Sequence, residues 1–64
     1  MILTVKSNPK NYAKEVFIDE LKVGVFEQMN SNSNLYSFMS TCPNERLTGD
    51  HYIIIGKHLN MYNA

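Results

Sequence analysis

The stretch that decides the fold is Thr48-Gly49-Asp50-His51-Tyr52-Ile53-Ile54-Ile55-Gly56-Lys57-His58-Leu59-Asn60-Met61-Tyr62. Read locally, Tyr52–Ile55 favours a strand, because three consecutive isoleucines are β-branched. Gly56 argues the same way, since glycine inside a helix costs about 1 kcal/mol relative to alanine. The wider pattern reverses this. At about 100° per residue, Tyr52, Ile55, Leu59 and Tyr62 fall on one face, with Asp50, Lys57 and Asn60 roughly opposite. Thr48 can serve as N-cap, and Asp50 suits the positive end of the helix dipole. Leu47 and Tyr52 stand where a hydrophobic staple would place them. The spacing therefore predicts a helix over about 49–62. Its apolar arc is wide: Ile54 and Met61 flank the stripe, and Ile53 sits on the polar side.

Upstream of this helix the period changes to two. Residues 1–6 carry β-branched side chains and read as a strand, followed by turn chemistry at Ser7-Asn8-Pro9-Lys10-Asn11. Residues 15–19 read as a second strand, with Asp19-Glu20-Leu21 as a short connection. A third strand covers 22–29. Asn30–Asn34 is a polar linker, since asparagine tolerates left-handed backbone. A fourth strand, 35–40, makes a hairpin with the third. Residues 41–47 form a loop through Pro43. The expected fold is α+β: a single domain over 1–64, with a small antiparallel sheet of three to four strands and one C-terminal helix packed on one face.

Strand alternation suggests two apolar faces. One is aliphatic, around Val16, Ile18, Val23 and Val25. The other is aromatic, around Phe17, Phe26, Tyr36 and Phe38. One helix covers one face. The remaining aromatic face, with Ile54 and Met61 on the helix, is then a candidate partner-binding surface, because several aromatic side chains of about 150–250 Å² each exceed what a monomer usually exposes. The plainer alternative is that the N-terminal strand and the 41–47 loop fold over it.

Length and composition narrow the classes. With 64 residues, one domain is the limit, and such a domain is marginal without a staple. The single cysteine, Cys42, excludes an internal disulfide and fits a reducing compartment. The apolar start Met1–Val5 is too short for a signal peptide, and no run reaches the length of a spanning helix. The expectation is a cytoplasmic chain with no membrane association. Six basic and six acidic residues balance to zero. Lys6, Lys10 and Lys14 crowd the N-terminal third, but a single arginine leaves little for base readout.

Candidate chemistry is thin. His51 and His58 lie seven apart, whereas helical ligand pairs are three or four apart, and no Cys-x-x-Cys accompanies them. Boundary packing is the expected role. Cys42 with a histidine lacks any flanking catalytic motif. Asp19 and Glu20 read as a solvated turn. Gly24, mid-strand, marks a bulge or a close backbone approach and belongs to no phosphate-binding pattern. Tyr36 and Phe38 could stack on unpaired bases as in RNA-binding sheets, but the basic surround is sparse. No cofactor, metal or catalytic residue is expected.

Val23-Gly24-Val25 after a tight turn, Tyr36-Ser37-Phe38 on the next strand and Leu47-Thr48-Gly49 opening a terminal helix give residues 16–60 a pattern that resembles small accessory proteins of bacteriophages and prophages. The resemblance implies a compact sheet-plus-helix unit acting as inhibitor or adaptor of a host or defence protein. It carries over no site residues. Phage recombination proteins of similar outline are strongly basic, and this neutral chain departs from them. The function expected is thus a non-enzymatic binding protein with a protein partner or a second copy. The alternative is a nucleic-acid-binding module using the sheet and the N-terminal lysines.

Overall fold

The computed structural model describes residues 1–7, 9, 13–28, 35–41 and 47–64. Four strands, β1 (Leu3–Ser7), β2 (Lys14–Ile18), β3 (Leu21–Gln28) and β4 (Tyr36–Ser40), precede one helix, α1 (Gly49–Asn63). The strands form an antiparallel meander in the order β1-β2-β3-β4, and α1 packs across one face. The α+β architecture is as the sequence indicates. Residues 8, 10–12, 29–34 and 42–46, which include the polar linker, the end of the expected third strand and most of the expected 41–47 loop, lie outside the described residues.

The β2–β3 connection is tighter than the sequence suggests. Ile18 pairs with Leu21, leaving Asp19-Glu20 as a two-residue loop. Both residues have positive φ, 50° and 73°, as a type I′ turn demands. Asp19 therefore belongs to the turn and not to the strand. It also fastens β1: its amide donates to the Ile2 carbonyl at 2.8 Å, and its Oδ1 accepts from the Ile2 amide at 2.8 Å.

The division into an aliphatic and an aromatic face does not hold, and a β-bulge is the reason. Val16 pairs with Gly24 and Phe17 with Lys22, so Val23 is an extra residue on β3. An extra residue resets alternation. Val23 itself, and Gly24 and Phe26 after it, are all buried on the helix side. Pairing of Phe26 with Phe38 and of Gln28 with Tyr36 brings the β4 aromatics to the same side. Aliphatic and aromatic residues thus share one core of Val16, Ile18, Val23, Phe26 and Ile55, ringed by Leu3, Val5, Tyr36, Phe38, Leu47, Ile54 and Leu59. Phe26 meets Phe38 edge-on at 6.0 Å and Tyr62 at 5.6 Å. Val25 and Phe17 are left on the outer face.

Gly24 is dictated by the same packing. A Cβ there would overlap the Met39 carbonyl and the Phe38 ring. Phe38 lies across the gap that glycine leaves.

The helix is capped at Thr48, whose backbone is extended. His51 takes the place that Glu or Gln occupies in a capping box: its Nδ1 accepts from the Thr48 amide at 3.0 Å and lies 2.7 Å from the Thr48 hydroxyl. Ile55 is the helical residue that enters the core, with Ile54, Leu59 and Tyr62 beside it. Tyr52, expected on the core stripe, is 58% exposed. The helix is rotated so that His51, Ile55, His58, Leu59 and Tyr62 make the inward stripe.

Candidate functional site

The partner surface expected from the sequence is dispersed. Phe26 is fully buried, and Tyr36 and Phe38 are half-buried beneath α1. The bulge at Val23 puts them there, so they are core residues and not a free patch. Ile54 is half-buried against the core. Phe17 remains on the outer sheet face, half-buried, with the Lys6 ammonium 4.8 Å from its ring centroid. Met61 alone of the six stands well out, at 72% exposure.

The outer sheet face is built from Thr4 and Lys6 of β1, Glu15 and Phe17 of β2, Lys22, Val25 and Glu27 of β3, and Ser37 and Met39 of β4. Its charges neutralise one another; Lys22 and Glu15 form an ion pair at 3.2 Å. A shallow depression lined by Thr4, Lys6, Phe17 and Glu20 lies at the β1–β2 end. It brings one ammonium, one carboxylate, one hydroxyl and one ring together.

Among the described residues the N-terminal lysines do not gather; Lys10 lies outside them. Lys6 lies over Phe17 on the outer face. Lys14 pairs with Phe26 and so lies on the helix side, its ammonium 5.6 Å from the Tyr62 ring and 6.0 Å from that of Tyr36. It donates to Ser7 Oγ at 3.4 Å. Lys14 fills the end of the core where β2 reaches the helix C-terminus.

The histidines are spent on the helix itself. His51 caps the N-terminus, and His58 donates Nδ1–H to the Ile54 carbonyl at 3.1 Å. Among the described residues, no three His, Cys, Asp or Glu side chains come together as a metal site would need. Cys42 lies outside those residues. Among the described residues, no helix is long and apolar enough to cross a membrane.

No family model, curated protein or solved structure matches the chain. The resemblance to phage accessory proteins therefore has no support from these comparisons, and the functional reading rests on the surface.

That surface has two features: one the sequence reading expected in part, through Met61, and one it did not name. Ile53 and Met61 are large apolar residues, 58% and 72% exposed, on the outer half of α1. The second is the edge of β4. The Thr41 amide bonds the Val23 carbonyl at 3.2 Å, so Ser37, Met39 and Thr41 direct their peptide groups to β3. Tyr36, Phe38 and Ser40 then direct theirs away from the sheet. At Tyr36 the Asn63 carboxamide meets them: Oδ1 accepts from the amide at 2.7 Å, and Nδ2 donates to the carbonyl at 3.1 Å. The signal that could have found this edge was the absence of charge and proline from Tyr36–Ser40.

Proposed function

We propose that this chain is a small non-enzymatic binding protein, an inhibitor or adaptor that docks a protein partner on the outer half of α1. The observation that carries the reading is the exposure of Ile53 and Met61, at 58% and 72%. Neither is needed by the core, which Ile55 and Leu59 serve. Exposed apolar side chains on a solvent-facing helix are a common docking element, and the i, i+4, i+8 spacing of Ile53, Lys57 and Met61 frames a cation with two apolar anchors. Lys6 and Lys22 share the outer sheet face with Glu15 and Glu27, and Lys14 lies on the helix side; this interleaving of charge favours a protein over nucleic acid, which rewards a continuous basic stripe.

The test compares tagged wild type with an Ile53→Glu/Met61→Glu double variant in pull-downs from nuclease-treated bacterial lysate. A stoichiometric protein held by wild type and lost by a variant with an unchanged circular dichroism spectrum is the expected result. Identical capture by both, or capture by neither, removes the reading.

A further inference from the structure

We propose that the edge of β4, which no strand among the described residues pairs with, is a pairing edge for a second copy of this chain, with the two β4 strands antiparallel about a two-fold axis at Phe38. Independently of any docking on α1, this would join two four-stranded sheets into one.

The peptide groups of Phe38 and Ser40 point outward from the sheet, as the β3–β4 register requires. Native edges are normally blunted by charge, proline or a bulge. The sequence Tyr36-Ser37-Phe38-Met39-Ser40 has no charged residue and no proline, and its pairing with β3 is regular throughout. The opposite edge, β1, carries Lys6. A neutral strand pairs with its own copy without like-charge repulsion, which is the complementarity a two-fold interface needs. Centring the axis at Phe38 sets Tyr36 against the partner's Ser40 and Phe38 against the partner's Phe38.

Two observations on α1 agree. Asn63 already bonds Tyr36 as a neighbouring strand would, with one donor and one acceptor. That edge is therefore competent to accept a strand. Tyr52, 58% exposed, is eleven residues before Asn63 and so lies on the same flank of the helix. Because α1 runs back along β4 from its Asn63–Tyr36 end, Tyr52 stands toward Ser40, beside the strand a second copy would add. Asn63 also sets a limit. It holds the Tyr36 groups that the partner's Ser40 would take, so the wild-type dimer is weak, and freeing Tyr36 strengthens it.

The test is sedimentation velocity from low micromolar to near-millimolar protein, paired with residue-resolved amide exchange. Wild type is expected to shift from monomer to dimer, with the Phe38 and Ser40 amides becoming protected as concentration rises. Ser40→Pro deletes an outward N–H that β3 does not use, so it is expected to keep the monomer fold and abolish the dimer. Asn63→Ala is expected to tighten the dimer by about tenfold, the equivalent of roughly 1.4 kcal/mol. A chain that stays monomeric throughout, or a dimer in which Phe38 and Ser40 exchange as fast as in the monomer, overturns the proposal. The exchange measurement needs no variant and stands even if Ser40→Pro fails to fold.

Discussion

The side chain of Asn63 binds both peptide groups of Tyr36, at 2.7 and 3.1 Å, and so ties the end of the helix to the start of the last strand. The contact links residues far apart in sequence and is bidentate, which fixes the direction of α1 across the sheet. Losing it removes two hydrogen bonds, each contributing about 0.5–1.5 kcal/mol. Asn63→Ala is expected to lower stability by about 1–2 kcal/mol. Urea titration on dilute protein would read the loss as a lower midpoint at unchanged slope. Asn63→Asp, which keeps the acceptor, is expected to fall between alanine and wild type.

Glu20 holds φ at 73° in a turn that favours glycine at its second position. A left-handed backbone costs a residue with a side chain about 1–2 kcal/mol. Glu20→Gly is expected to stabilise the chain by about 1 kcal/mol after the added freedom of the unfolded state is subtracted. For a domain this small, that is an increase in Tm of about 4–8 °C. A Tm that falls would show that the turn is held by Glu20 and not merely tolerated by it.

Gly24 should tolerate nothing larger. Alanine would meet the Met39 carbonyl and the Phe38 ring, of which only the ring can move. Gly24→Ala is expected to cost about 1–3 kcal/mol, the usual penalty of overpacking. The Phe26–Phe38 pair should be disturbed with it, which near-ultraviolet circular dichroism would register as a loss of signal.

His51 closes its capping box through Nδ1, accepting from the Thr48 amide. Glutamate at this position accepts the same bond and adds a negative charge at the positive end of the helix. His51→Glu is expected to raise stability by about 0.3–1 kcal/mol, and His51→Ala to lower it by a similar amount. Thermal melts of the two variants should bracket wild type; both shifting downward would assign His51 a packing role instead.

The elements were legible in the sequence because each carries its own period. The helix emerges from a stripe that runs from Tyr52 to Tyr62 even though Tyr52–Ile55 looks like a strand, and the strands emerge from β-branched runs cut by turn residues. What alternation could not reveal was the face of each strand. One extra residue, Val23, inverts the order on β3, and it leaves no mark in the sequence except the adjacent Gly24. Phe26, Tyr36 and Phe38 do share a face, with Met39 opposite, as alternation indicates, but the face they share is the core and not the expected surface. Phe17 and Met61, whose positions do not depend on that bulge, are where the pattern put them. The Asn63–Tyr36 clamp was illegible for a different reason, since asparagine is frequent in this chain and only its three-dimensional neighbour gives one copy a role.

Each strand of the meander pairs with the one before it, but the face that needs covering waits for the last element to be made. During synthesis the sheet can close its hydrogen bonds early while Val16, Ile18, Val23 and Phe26 stay wet until Ile55 and Leu59 leave the ribosome. Collapse of the sheet is thus gated by residues 49–63, and a chain arrested before Gly49 would emerge as a ready-made sticky sheet that cellular quality control must meet first.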